Sequence, residues 1–329
     1  MLRLILSAVL LAASASAQNL HEPFDYPDGP KIPNWTVETG SWNLFFGIAE
    51  AKKAEWCYLT SDNLQNVRSG AFEAEIYYPQ RNGLHFAGIL LRYQDPKSTA
   101  EHLVVKVQDT LAKGQWRELF LYERPLGKPV QYKVLQPGRF LVMRVMLRPN
   151  EWWAELDVDL DGHMDQVTPR FPISSLVPAR GKVGINAYNN GRIGRFEAYE
   201  ALLFPSAPVD PKIGTTFSLT LELSERGLAR SNGQGTWLGL LSAGRTGIDL
   251  PGQTGMRLPL DFDFALVASL NLGWTGTVSN GSPQARMSLQ IPNDSNLVGL
   301  DLHAGAVVFG APSPLGIGAI SNPYTIRIQ

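Results

Sequence analysis

The chain has 329 residues, with 29 Lys and Arg against 30 Asp and Glu, for a formal net charge of −1. That balance lacks the basic excess of a dedicated nucleic-acid binder. A single cysteine, Cys57, excludes an intramolecular disulfide and Cys-based zinc sites. With 31 Gly and 23 Pro the chain is turn-rich, and a hydrophobic content of 44% supplies core for about two domains.

Residues 1–17 open the chain with Arg3 as a short basic region, an apolar run over 4–13, and Ala15-Ser16-Ala17 as a small-x-small cleavage site. This pattern predicts a secretory signal peptide, with Gln18 as the first mature residue. No later run reaches the ~18 apolar residues that a membrane helix needs, so no membrane span is expected. An exported chain without disulfides fits a bacterial envelope, so a secreted, extracellular or periplasmic location is expected.

A Pro-rich junction at 205–211 divides the rest into 18–204 and 212–329. The first part holds six of 8 Trp, nine of 10 Tyr and ten of 14 Phe. The second part is Gly-rich and sparse in charge. In the first, Phe72, Ala74, Ile76 and Tyr78 alternate with Glu73, Glu75 and Tyr77, the period of a half-buried strand. Further strand runs are expected at 84–93, 102–107, 116–122, 140–147, 152–158, 182–188 and 195–204. In the second part, runs are expected at 217–223, 237–242, 264–270, 285–291, 298–308 and 324–328. Many strands at short spacing predict an all-β protein, a jelly-roll sandwich followed by a smaller immunoglobulin-like β-sandwich.

The most informative stretch is 139–167. A two-residue turn at Pro149-Asn150 sets Leu147 opposite Trp152, Met146 opposite Trp153 and Arg144 opposite Glu155. Leu141, Met143, Val145 and Leu147 then share the core face with Trp152, Ala154, Leu156 and Val158. The other face carries Arg144, Met146, Arg148, Glu151, Trp153, Glu155, Asp157 and Asp159. Three readings of that face stay open. It is a solvated sheet face with cross-strand ion pairs. Or it is a sugar-binding surface, in which Trp153 stacks on a ring beside Met146 while Arg144 and Glu155 take hydroxyls. Or it is catalytic, since Glu155-Leu-Asp157-Val-Asp159 resembles the alternate-acid strand of laminarinase-type glycoside hydrolases. That resemblance implies a carboxylate nucleophile and a general acid among Glu155, Asp157 and Asp159.

Asp157-Val-Asp159-Leu-Asp161-Gly162-His-Met-Asp165 matches the first half of a calcium loop, with oxygen ligands at alternate positions and a Gly for the sharp turn. The twelfth position is Thr168 rather than Glu. A plain Asp-Gly hairpin turn is the alternative. The pairing register sets Asp157 opposite Asp165, a like-charge pair that a cation such as Ca²⁺ would bridge. The five His residues show no metal-ligand spacing, and Gly233-Gln-Gly235-Thr-Trp-Leu-Gly239 reads as a turn entering a strand.

Four segments carry a wider resemblance. They are Phe24-Asp-Tyr-Pro-Asp-Gly-Pro30 with Asn34-Trp35-Thr36 and Gly40-Ser41-Trp42; Gly88-Ile-Leu-Leu-Arg92-Tyr93-Gln-Asp95; Pro137-Gly138 before a strand ending Arg144-Val-Met-Leu147; and Gly181-Lys-Val-Gly-Ile-Asn-Ala-Tyr188 with Phe196-Glu-Ala-Tyr199. Together they resemble the concanavalin A-like, laminin-G-like jelly roll of secreted bacterial proteins. The resemblance implies two stacked antiparallel sheets and a carbohydrate ligand on the concave one. The C-terminal part resembles Gly-rich β modules of exported bacterial proteins, which implies no activity. The expectation is an exported, non-catalytic, lectin-like protein whose partner is a glycan or a cell-surface component. A glycoside hydrolase and a structural envelope protein are the alternatives.

Overall fold

The computed structural model describes residues 20–52, 56–78, 85–95, 102–109, 118–124, 130–132, 138–207, 210–249, 257–310 and 315–329. The leader expected at 1–17 lies outside the described residues, as do 84 and 116–117 at the starts of two strand runs. The chain forms two compact units, His21–Ala198 and Tyr199–Gln329.

The N-terminal unit begins with β1 Leu20–Glu22, β2 Trp35–Thr39, β3 Trp42–Phe45, β4 Ile48–Ala51 and β5 Cys57–Ser61. β6 Gly70–Tyr78, β7 His85–Tyr93, β8 His102–Asp109, β9 Glu118–Arg124 and β10 Val130–Tyr132 follow. It ends with β11 Arg139–Leu147, β12 Glu151–Asp157, β13 Gln166–Val167, β14 Phe171–Pro172, β15 Lys182–Tyr188 and β16 Arg192–Tyr199. These build a nine-stranded sheet with the main order β13-β12-β11-β6-β16-β4-β3, and a seven-stranded sheet ordered β10-β9-β8-β7-β15-β5-β2. The chain crosses between the sheets at β1 to β2, β2 to β3, β4 to β5, β5 to β6, β6 to β7, β10 to β11, β14 to β15 and β15 to β16. This winding makes the unit an all-β jelly-roll sandwich.

Period-two patterning decides which side chains meet inside. Phe72, Ala74 and Ile76 of β6 join Leu141, Met143 and Val145 of β11 and Ala154 and Leu156 of β12, all buried. On the seven-stranded sheet one cross-strand row runs Leu59, Ile185, Ile89, Val105, again buried. Each such aliphatic side chain contributes roughly 1.5–3 kcal/mol on burial. Two glycines let the strands of this sheet close up. A Cβ at Gly88 would sit 2.1 Å from the Val105 carbonyl oxygen, and one at Gly184 would sit 2.0 Å from that of Leu59.

The C-terminal unit contains β17 Ala201–Pro205, β18 Thr216–Leu223, helix α1 Glu225–Arg230, β19 Gln234–Ser242, β20 Ile248–Asp249 and β21 Arg257–Leu258. Helix α2 Phe264–Ser269 then precedes β22 Thr275–Ser279, β23 Gln284–Gln290, β24 Asp301–Phe309, β25 Ile317–Ile320 and β26 Tyr324–Arg327. A three-stranded sheet β17-β18-β23 and a five-stranded sheet β22-β19-β24-β25, with β26 also on β24, share a core. That core includes Leu219, Leu221, Trp237, Leu241, Met287, Val308 and Ile326.

Three expectations change here. The run at 195–204 is two strands, because after Tyr199 the chain leaves the nine-stranded sheet and β17 pairs with β18. The Pro-rich stretch at 205–211 therefore starts inside the C-terminal unit, where Ser206 N–H donates to Ser218 O at 2.9 Å. The run at 264–270 is a helix rather than a strand. Its N-cap, Asp263, accepts from Leu266 N–H and satisfies a donor the helix cannot. Ser224 caps α1 in the same way, accepting from Gly227 N–H.

Candidate functional site

The 139–167 hairpin has the expected register: Arg144 pairs with Glu155, Met146 with Trp153 and Leu147 with Trp152. Arg148 N–H donates to Glu151 O across Pro149-Asn150. The open, ring-bearing face expected around Trp153 is not there. Trp153 is 4% exposed, Arg144 1%, Glu155 3% and Met146 0%. Glu73 of β6 also stands opposite Arg144, whose Nε and Nη2 donate to its Oε2 at 3.1 and 2.8 Å. Arg144 Nη1 donates to Glu155 Oε2 at 3.3 Å, and Trp153 Nε1 donates to Glu155 Oε1 at 3.1 Å. Arg195 approaches Glu73 from β16 at 3.4 Å, and the Arg170 guanidinium lies 4.6 Å from the Trp153 ring centroid. The face is an internal ion-pair network, so its members serve the fold. The hydrolase alternative loses its footing for the same reason. Glu155 and Asp157 are both sealed, and Asp157 Oδ2 accepts from Gly162 N–H at 2.8 Å.

The acidic loop after β12 is more open. β12 and β13 pair Glu155 with Val167 and Leu156 with Gln166, and extending that register sets Asp157 opposite Asp165. One carboxylate oxygen from each of Asp157, Asp159 and Asp165 falls within 4.8 Å of the others. Leu160 and Gly162 take positive φ, +65° and +94°, and fold the loop back on itself. Asp165 Oδ2 accepts from Val158 N–H at 2.8 Å and Asp159 Oδ1 from Asp161 N–H at 3.3 Å. Asp161 is not in the group; its carboxylate accepts from His163 N–H at 2.8 Å. Thr168 turns away, its hydroxyl accepting from Ala154 N–H and donating to Pro169 O. Three hard oxygen donors so close repel one another and suit a hard cation.

The side chains richest in chemistry lie on the outer face of the seven-stranded sheet. Register places Tyr58, Asn186, Gly88 and Lys106 in one row across β5, β15, β7 and β8. Tyr188 pairs with Phe86 in the next row, and the same register carried one step beyond β5 sets Trp56 beside Tyr188. Phe86 and Tyr188 stack at 5.2 Å and 19°, and Trp56 tilts against Phe86 at 4.5 Å. The Lys106 ammonium lies 4.4 Å from the Trp56 centroid and 4.0 Å from that of Phe86, a cation shared by two ring faces. Tyr58, Tyr93 and His102 form a second group, each pair edge-on at 5.3–5.5 Å. Tyr58 Oη lies 3.2 Å from His102 Nε2. Burial, with Glu38, Tyr58 and Asp95 adding to it, pushes the Tyr93 phenol above its usual pKa, so it stays neutral. Trp56, His102 and Tyr188 are half-buried, while Tyr58, Phe86, Tyr93 and Lys106 are buried.

Sequence reasoning recognised these segments only as strands. Two signals were available. Trp56 and Tyr58 flank Cys57 at a spacing of two, and Gly184, Asn186 and Tyr188 alternate against Val183, Ile185 and Ala187. Both put polar and aromatic groups on the face opposite the core.

No family model and no curated protein matches the chain. Solved structures do. The carbohydrate-binding module CBM66 from Bacillus subtilis aligns over 52% of this chain and 95% of its own, at 17% identity and a TM-score of 0.38. The exoplasmic/lumenal domain of VIP36, bound to Ca²⁺ and Man3GlcNAc, aligns over 58% and 91%, at 11% identity and 0.39. The laminarinase from Rhodothermus marinus aligns over 55% and 96%, at 12% identity and 0.40. Among the described residues no helix is long and apolar enough to cross a membrane.

Proposed function

We propose that the N-terminal unit is an exported carbohydrate-binding module whose ligand lies on the outer face of the seven-stranded sheet. The observation that supports this is the presence there of the half-buried Trp56, His102 and Tyr188 side by side on one sheet face. The half-buried Trp56 and Tyr188 rings offer apolar faces to the C–H side of a sugar and the half-buried His102 offers a hydrogen bond to its hydroxyls, while the buried Phe86, Lys106 and Tyr58 hold them in place from beneath. The partner is a glycan, free or on a cell surface. The test is affinity electrophoresis of the full chain in gels containing soluble polysaccharides. Trp56→Ala is expected to lose retention that Trp153→Phe keeps. Loss in Trp153→Phe alone, or no retention of the wild type, would refute the reading.

A second reading concerns Ca²⁺ and is favoured by the grouping of Asp157, Asp159 and Asp165. A bound ion would be held by these three carboxylates and would offset their mutual repulsion. Millimolar Ca²⁺ is expected to raise the melting temperature of the wild type, by mass action on the folded state. Asp159→Ala is expected to show no such rise. An equal shift in both proteins would rule the site out.

A further inference from the structure

A cavity of about 270 Å³ opens on the C-terminal unit where the chain passes from β17 into β18. Its walls include Asp210, Lys212, Thr215, Thr216 and Ser218 from the incoming limb and β18, and Arg286 from β23. Two main-chain bonds pin that limb to Gln329: Ile213 N–H donates to Gln329 O at 2.9 Å, and Gln329 N–H donates to Pro211 O at 2.8 Å. Lys212 and Arg286 are both exposed, so a ligand arriving from solvent can reach them. Arg286 Nη2 donates to Ser218 Oγ at 3.1 Å, and Ser218 Oγ also bonds with Ser288 Oγ at 3.0 Å, which steadies the guanidinium against the sheet. Among the described residues Arg286 makes no other hydrogen bond, and neither it nor Lys212 has an acidic partner. Asp210, the acid in the wall, accepts from Gln329 Nε2 at 2.9 Å. The two cations therefore exceed the acid by one charge. The threonines add a second demand. Thr215 Oγ1 donates to Lys212 O at 2.7 Å and Thr216 Oγ1 donates to Gln290 Oε1 at 2.6 Å. A hydroxyl has one hydrogen and two lone pairs, so both threonines can offer the cavity lone pairs only.

We propose that this cavity binds a small hydroxy acid of the size of a single sugar acid. A carboxylate is planar and singly charged, so it accepts paired hydrogen bonds from the open edge of Arg286, with Lys212 as the second cation, and cancels the excess charge. A phosphate dianion would leave negative charge uncompensated beside Asp210. Hydroxyl groups on the ligand donate to the Thr215 and Thr216 oxygens, which a plain fatty acid would leave unmet. Size follows from the volume. Drug-sized ligands occupy pockets of about 300–1,000 Å³, so this smaller cavity suits one sugar acid rather than an oligomer.

The experiment is isothermal titration of the full chain with D-galacturonate and D-gluconate, set against D-galactose, which lacks the carboxylate, butyrate, which lacks the hydroxyls, and inorganic phosphate. At least one of the two hydroxy acids is expected to bind, and the three controls are expected to bind tenfold or more weakly. Arg286→Gln and Lys212→Gln are each expected to lose tenfold or more in affinity for that acid. The Lys212 side chain makes no hydrogen bond or ion pair among the described residues, so Lys212→Gln tests the site without disturbing the fold, and its unliganded melting temperature is expected to match wild type. Lys212→Arg, which keeps the charge, is expected to keep most of the affinity. Absence of binding by both hydroxy acids would overturn the proposal. So would galactose, butyrate or phosphate binding as tightly as the better hydroxy acid, or wild-type affinity in Lys212→Gln and Arg286→Gln.

Discussion

The guanidinium of Arg92, on β7, donates to the carbonyl oxygen of Pro149 in the β11–β12 turn at 2.9 Å. Through it the seven-stranded sheet grips the hairpin of the nine-stranded one. The same group reaches Arg148 O and Arg68 O at 3.0 Å and Pro178 O at 3.3 Å. It is buried, and burial, with Arg68 adding to it, lowers its pKa to about 10, so it stays charged at neutral pH. A lysine keeps the charge but lacks the planar fork. Arg92→Lys is expected to lose about 2 kcal/mol, and Arg92→Met, which strands the carbonyls, more. Thermal unfolding checks this; a wild-type melting temperature in Arg92→Lys would refute it.

The network centred on Arg144 makes a second expectation. One buried cation serves two buried carboxylates, Glu73 and Glu155. Arg144→Met takes the central cation from Glu155 and leaves Glu73 with Arg195 alone, and is expected to cost about 3–5 kcal/mol. Adding Glu73→Gln and Glu155→Gln to that variant is expected to recover most of the loss. Urea denaturation of the single and triple variants measures both steps, and equal stabilities would contradict the network.

Glu200, between β16 and β17, predicts a pH dependence. Burial pushes its carboxyl from 4.5 up to about 7, outweighing Arg230 and Arg226, which pull the other way. Below pH 4.5 the folded and unfolded chains both hold the proton, and stability is at its full value. Between 4.5 and 7 only the folded chain holds it, so stability falls as pH rises, by about 3 kcal/mol in all. Above 7 both are ionised and the dependence ends. Glu200→Gln is expected to flatten the fall across that window, as seen in denaturant midpoints at a series of pH values. An unchanged slope would exclude Glu200 as its source.

At the β3–β4 turn, Phe46 and Gly47 take φ of +49° and +72°, a two-residue turn that suits Asn-Gly. Phe46 is 78% exposed and pays for its left-handed backbone with little burial. Phe46→Asn is expected to raise stability by about 1 kcal/mol. A drop in melting temperature would mean that its edge contact with Phe45, at 4.5 Å, matters more.

Much of this was legible in the sequence. The alternation at 72–78 and 182–188, the register of the 139–158 hairpin and the facing of Asp157 and Asp165 all follow from a side-chain period of two. What was not legible depended on third strands. Arg144 could be matched with Glu155 across a short turn, but Glu73, which takes two of its hydrogen bonds, is 71 residues away. The ring face failed for the same reason, since Trp56, Phe86, Lys106 and Tyr188 meet only through long-range pairing. The helix at Phe264–Ser269 was hidden because six residues are too few to display a helical period, and only its Asp263 cap distinguishes it.

The pairing of β17 with β18 has a practical corollary. Severing the polypeptide at the Pro-rich stretch would strip the C-terminal unit of a border ribbon and leave unmet amides along Thr216–Leu223, an adhesive margin that invites aggregation. Severing it after Ala198 keeps that ribbon with its neighbour, and a fragment beginning at Tyr199 should stay dispersed where one beginning at Ser206 clumps.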